Sequence, residues 1–290
     1  MVINNYKGGR LANRIISFVH LAANCMEHQY KLYNPEFDEF EPFFEATSKN
    51  YFNGHPISVT LFKNHFSDRA FSRLFRLWAD ITHKLFRVTS FYHLYRIFKQ
   101  YDDFDLNDPA FVASAKSKIV ITEGWLFRDR KNLQKHQDEI RQFFTPVKKY
   151  RDEVNAVISK ARTVADVVIG VHIRRGDYIR YESGIWYYED DVYVEKMLQV
   201  QNQFTAEGKT CAFVIAAIET INKNNFPAEL KIFTEQRHFV TDMYCLAACD
   251  AIIGPPSTYS LWAAFYGKIP LAYIYKKDDF IQIGCYYNAC

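Results

Sequence analysis

Glycine and proline are scarce, 11 and 9 in 290 residues, which excludes collagen-like, linker-rich and low-complexity architectures. Charge of one sign is scarce as well: 36 Lys and Arg against 33 Asp and Glu leave a net +3, too little to imply a nucleic-acid partner. There is no apolar run of membrane-spanning length, and the chain enters MVINNYKGG with no basic-then-apolar leader. A protein without a signal peptide, cytoplasmic and either soluble or peripheral on the inner face of a membrane, is therefore expected. The six cysteines, Cys25, Cys211, Cys245, Cys249, Cys285 and Cys290, lack C-x-x-C spacing and a neighbouring histidine cluster. No metal site is expected from them, and free thiols in a reducing compartment fit better. Cys245 and Cys249 stand one helical turn apart, a spacing open to a metal, but a buried helix face explains two small apolar thiols more simply.

What the chain has in abundance is apolar and aromatic surface: 49% hydrophobic residues, with 25 Phe and 20 Tyr. That supplies an ordinary globular core, enough for two modest α/β domains or one large one. The most informative stretch is VVIGVHIRRGD, Val167 to Asp177. Its β-branched run predicts a strand buried on both faces, ending abruptly in Arg174, Arg175 and Asp177. In open α/β sheets ligands bind beyond the carboxyl ends of strands, and planar guanidinium forks suit phosphate oxygens. Two readings stand: Arg174 and Arg175 hold a phosphorylated ligand, or they pair structurally with Asp177 and Glu182.

Along the chain, Val2–Asn5 predicts a strand, Lys7-Gly8-Gly9-Arg10 a turn and 11–28 a helix, an arrangement that brings an anion close to backbone amides at a helix N-terminus. A lone glycine pair is weak evidence for this. Residues 34–65 are irregular. From Arg69 to Phe98 the spacing predicts a basic amphipathic helix, with Phe71, Leu74, Phe75, Trp78, Ile81 and Leu85 on one face and Arg73, Arg76, Lys84 and Arg87 opposite. Its apolar side either packs on the domain or meets an anionic membrane surface. A strand at 118–121, a helix over 132–144 and a helix over 147–161 follow. Strands are then predicted at Cys211–Ile218, Leu230–Phe233, Ala251–Gly254 and Leu271–Tyr275, with helices at Asp191–Asn202, Val240–Cys249 and Tyr259–Tyr266. Strands alternating with helices argue for parallel sheets and an α/β class in two halves, 1–150 and 151–290.

Three separated segments, GGRLANR (8–14), HIRRGDY (172–178) and GPPSTYSLWAAFYG (254–267), together resemble the α1,2-fucosyltransferases of glycosyltransferase family 11, within the fucosyltransferases that share His-x-Arg-Arg-x-Asp. The resemblance implies a GT-B fold, two Rossmann-like domains facing a cleft, with an acceptor-side N-terminal domain and a C-terminal domain that holds GDP-fucose without metal or cofactor. It implies that Arg174 meets the donor β-phosphate, that His172 lies near the nucleoside, and that Asp242 reads the guanine edge. Ser257, Thr258 and Tyr259 then offer donors to the pyrophosphate, Asn13 faces the reacting centre, and Gly9, Arg10 and Arg175 complete the donor contacts. Ser257 and Thr258 equally satisfy the rule for a helix N-cap.

Chemistry supports the carry-over, because the charge that develops on the leaving phosphate needs preorganised cations and N–H donors. The acceptor hydroxyl, on a glycan that is lipid-linked or soluble, needs a base, and Glu182 and Asp177 are the candidates. The chain departs from the family pattern at Arg14, where Gln is usual, at Ile218-Glu219, where an acidic pair is usual, and at Trp262, where two tryptophans are usual. Beside a GDP-fucose transferase, a related enzyme using another sugar nucleotide and an inactive nucleotide-binding scaffold stay open.

Overall fold

The computed structural model describes residues 1–47, 49, 52–60, 67, 70, 71, 73, 74, 77, 78, 81, 92–96 and 102–284. The chain divides into two compact units, Met1–Val147 and Lys148–Cys290.

In the first unit, β1 (Val2–Asn4) leads through the glycine turn into α1 (Leu11–His28). Gly9 sits at φ +71, and a Cβ there would collide with Asn13, so this turn requires glycine. α1 ends where Gln29 takes the left-handed conformation. The sheet continues with β2 (Leu32–Tyr33), β3 (Ile57–Ser58), β4 (Tyr92–Arg96) and, after the separate short β5 (Phe104–Asp105) and the helix α2 (Pro109–Ser117), β6 (Ile119–Glu123). Its order is β3-β2-β1-β6-β4, all parallel, and β5 pairs separately with β7 (Phe127–Arg128). Aromatic abundance is spent on the core: Phe18 of α1 lies 5.3 Å from Phe37 and meets Phe143 and Phe144 edge-on at 5.6 and 5.7 Å.

Two expectations fail here. The predicted helix over 132–144 is two, α3 (Arg130–Lys135) and α4 (Gln137–Phe143), broken at His136. The ring nitrogens of His136 reach Glu27 (2.9 Å) and Glu139 (3.0 Å), so a tertiary contact fixes the break. The predicted helix over 69–98 lies mostly outside the described residues; the described residues from 70 to 81 are helical, as expected, but the helix does not run to 98. Of its expected core-facing positions, Leu74, Trp78 and Ile81 are exposed, and Tyr92–Arg96 is a strand paired with β6, not the end of a helix.

The second unit opens with α5 (Lys148–Arg162) and β8 (Val167–Ile173), whose seven residues are all buried. After α6 (Asp190–Ala206) come β9 (Cys211–Ala217) and β10 (Lys231–Phe233), then α7 (Phe239–Ala247), β11 (Ala251–Gly254), α8 (Thr258–Gly267) and β12 (Leu271–Tyr273). The sheet is parallel, in the order β10-β9-β8-β11-β12. From β8 the chain winds to β9 and β10 and then crosses back to β11 on the other side. β8 and β11 therefore flank the topological switch point, where the connections part and leave a crevice at the strand ends. Among the described residues no helix is long and apolar enough to cross a membrane.

Candidate active site

The carboxyl ends of β8 and β11 are drawn together by small residues and pinned by hydrogen bonds. Gly254 passes so close to the His172 carbonyl that a Cβ would lie 2.7 Å from it. Beyond the strand ends, the Tyr178 hydroxyl donates to the Pro256 carbonyl at 2.6 Å, tying the two loops to each other. Ser257 caps α8, its hydroxyl accepting from the Tyr259 N–H at 3.2 Å. The Tyr259 hydroxyl donates to the Phe239 carbonyl at 2.6 Å, which fixes α8 against the start of α7.

Arg174 occupies the crevice. Its Nη2 donates to both oxygens of Asp177, at 2.8 and 2.9 Å, and its guanidinium lies 5.2 Å over the Tyr178 ring. Its Nε is buried and has no hydrogen-bond partner among the described residues. His172, buried and 5.0 Å from the Tyr259 ring, has its pKa pushed down to about 3, by burial first and by Arg174 second. It is a neutral imidazole whose Nδ1 is also buried, without a hydrogen-bond partner among the described residues. Orphaned buried polar atoms are uncommon, and among the described residues two of those present belong to His172 and Arg174, at and just beyond the end of β8.

Arg175 does not join Arg174. Successive residues at a strand end diverge, and its guanidinium turns inward to donate to the Tyr188 carbonyl at 2.9 Å and to Asp190, with Glu219 3.6 Å away. These internal partners are Asp190 and Glu219 rather than Asp177 and Glu182, the carboxylates named for a structural pairing. Asp177 is half exposed and stands as Arg174's partner. Glu182, exposed at φ 46, makes no side-chain hydrogen bond or ion pair among the described residues.

Asp242 stands near the start of α7 with a partner that sequence reading missed. Arg237 donates through Nε to Asp242 Oδ1 at 2.7 Å and through Nη2 to the Ile215 carbonyl on β9 at 2.6 Å. Both side chains are buried. Burial dominates and raises the Asp242 carboxyl from 3.8 to about 6, although Arg237 pulls the other way. The available signal was an arginine five residues before the aspartate, just ahead of a helix start, but its second partner, the Ile215 carbonyl, lies on β9. Gly9, Arg10 and Asn13 belong to the first unit. Arg10 is the exposed N-cap residue of α1, with no side-chain capping bond. Arg14 is buried, paired with Glu39 at 2.7 Å and laid on Phe40. Among the described residues no cluster of three His, Cys, Asp or Glu side chains is arranged to hold a metal.

The fold is that of solved fucosyltransferases. Arabidopsis thaliana FUT1 with GDP superposes with a TM-score of 0.59 at 13% identity, over 95% of this chain and 70% of that one. POFUT1 with GDP gives 0.57 at 12%, over 93% and 98%. The α-1,6-fucosyltransferase NodZ soaked with GDP-fucose gives 0.53 at 14%, over 94% of each. The expected fold class, α/β of GT-B type, is thereby shown. No curated protein sequence matches. The model of glycosyl transferase family 11 matches residues 92–278, more than half of the sequence, and the chain belongs to that family.

Proposed function

We propose that this chain is an inverting fucosyltransferase that carries fucose from GDP-fucose to a hydroxyl of a glycan acceptor, a galactoside in α1,2 linkage, without metal. Residues 151–290 hold the donor. The observation that carries this reading is Arg174 at the β8–β11 switch point, with a buried Nε that has no partner among the described residues, on the sheet end where Ser257 caps the start of α8. As the bond from fucose to GDP lengthens, negative charge grows on the β-phosphate. A guanidinium and helix N-terminal amides are preorganised to receive it. Asp242 presents its Oδ2 to the N–H edge of guanine while Oδ1 is held by Arg237. On the opposite side of the sugar a carboxylate takes the acceptor proton. Glu182, which has no competing partner among the described residues, is the base, and Asp177 is the residue that orients Arg174.

The Asp242–Arg237 pair also favours a second reading, a family 11 enzyme whose sugar nucleotide carries a different base. A thermal-shift panel of GDP, UDP, ADP and CDP, each with and without EDTA, separates the two, because a ligand of the native state raises its stability. GDP alone is expected to stabilise the protein, equally with and without EDTA. Equal shifts from UDP and GDP refute the guanine assignment.

We also propose a peripheral, cytoplasmic-face location. Exposed Leu74, Leu77 and Ile81 support it, as do the cations Arg73, Arg76, Lys84 and Arg87 of the same segment. Binding to anionic vesicles that falls as salt rises is the expected result. No binding at low salt removes the proposal and favours a soluble acceptor.

A further inference from the structure

Beyond Arg174, residues 176–187 make two short 3-10 turns, Gly176–Ile179 and Tyr181–Gly184. Glu182 (φ 46), Ser183 (φ 59) and Gly184 (φ 78) are three successive left-handed residues. Two of them carry side chains, a conformation that costs energy and persists where the surroundings or function demand it. The reversal turns three large apolar side chains outward within seven residues: Ile179 is 60% exposed, Tyr181 50% and Ile185 57%. A fold that obeyed burial alone would turn them in.

The exposed ring is not isolated. Tyr181 stacks on Tyr178 at 5.3 Å and 26°, and Trp186 stands 5.9 Å from it. Tyr178 is anchored to Pro256 and lies beneath the Arg174 guanidinium. Two contacts, of 5.2 and 5.3 Å, therefore join the cation assigned to the leaving phosphate to an open aromatic ring. Along the same loop stand two exposed carboxylates, Asp177 and Glu182.

We infer that this loop is a binding site for a pyranose of the acceptor glycan, with Tyr181 as its platform. A pyranose offers a C–H face and a rim of hydroxyl donors. An aromatic ring matches the first, and acceptor-only carboxylates match the second. The inference rests on the fucosyl-transfer reading, since the ring lies within one or two sugar units of the phosphate site. It assigns part of acceptor recognition to the second unit, whereas the sequence resemblance gives that task to residues 1–150. The strained turn is the device that holds the ring outward.

The test is ligand-observed saturation-transfer NMR on the full chain, with and without GDP, using lactose, N-acetyllactosamine and chitobiose as probes. Saturation of pyranose C–H protons is expected in wild type. It should fall by about fivefold in Tyr181→Ala, the scale of one lost ring contact, and persist in Tyr181→Trp. The thermal shift given by GDP should be unchanged in both variants. Three results overturn the inference: no saturation of any probe, equal saturation in Tyr181→Ala, or loss of the GDP shift in Tyr181→Ala, which puts the ring in the donor site or the core. Absence of a GDP shift in wild type instead defeats the donor reading and leaves the sugar contrast readable without nucleotide.

Discussion

Arg237→Ala is the perturbation that most directly probes donor recognition. Asp242 already titrates near 6 because burial penalises its charge, a rise from the ordinary 3.8 that corresponds to roughly 3 kcal/mol in favour of the neutral form. Arg237 opposes that penalty with a 2.7 Å hydrogen bond between two buried side chains. A bond to a charged group contributes roughly 1.5–3 kcal/mol, so its loss should lift the carboxyl by a further one to two pH units, to between about 7 and 8. If the carboxylate accepts the guanine N–H groups, only the ionised form binds. Wild-type affinity for GDP should then be flat above pH 6 and fall about tenfold per pH unit below it, and in Arg237→Ala the bend should move up to between about 7 and 8.

The assay is fluorescence titration with a labelled GDP from pH 5.5 to 9, each variant taken as a ratio to Asp242→Asn so that ionisation of the nucleotide phosphate cancels. At pH 6.5 the variant should bind roughly tenfold more weakly than wild type. Arg237→Lys should fall between them, since an ammonium cannot reach Asp242 and the Ile215 carbonyl as a planar fork does. An Arg237→Ala profile that superimposes on wild type refutes the reasoning. Stability carries its own check. The folded pKa lies above the unfolded one, so between pH 3.8 and 6 the native state holds more protons and stability falls as pH rises through that window. Asp242→Asn should remove this slope.

Arg174→Lys should keep the fold and lose most turnover, because a single ammonium cannot replace the fork at the developing phosphate charge; near-normal rates in a transfer assay make Arg174 structural. Glu182→Gln should keep GDP affinity and lose roughly a hundredfold or more in kcat, whereas Asp177→Asn should weaken donor binding; the reverse pattern moves the base to Asp177. His172 and His20 are both held neutral, at about 3 and about 4, mainly by burial. Only the unfolded chain binds their protons between those values and 6.5, so stability should fall as pH drops below 6.5, by about 1.4 kcal/mol per pH unit for each histidine. Urea unfolding of His20→Gln between pH 4.5 and 7 should show a shallower slope than wild type.

Legibility in the sequence followed the range of the forces involved. β8 was readable because burial on both faces demands a continuous apolar run, and the charges that end it mark the sheet edge. α1 was readable because its signals are local: the glycine turn before it, with Gly9 at φ +71, and the apolar positions Leu11, Ile15, Phe18, Val19 and Ala22 along it. β2 and β3 are two residues each, too short to carry a period. The break at His136 depends on Glu27, 109 positions away, and the hold on Asp242 depends on a carbonyl of β9. In each of these the deciding partner is brought in by the fold, so nothing near it in sequence announces the contact.

Arg174 and Arg175 show how far two identical neighbours can be separated by such partners. Arg175 spends its donors on a carbonyl and on Asp190, close to Glu219, and its side chain is largely buried. Withdrawing it would strand buried acceptors, at a cost of roughly 1–3 kcal/mol for each unsatisfied group. Arg174 is engaged through Nη2 alone, by a carboxylate that is half exposed. An ion pair with so open a partner contributes about 0–1 kcal/mol, little enough for an incoming anion to displace or share. The remaining donors of its fork include the buried, unpartnered Nε, and a phosphate engages a fork through two parallel bonds. On the proposed reading, Asp177 keeps the guanidinium aligned until the donor arrives without competing strongly for it, and the arginine assigned to the leaving phosphate is the one whose ion-pair partner is the more exposed.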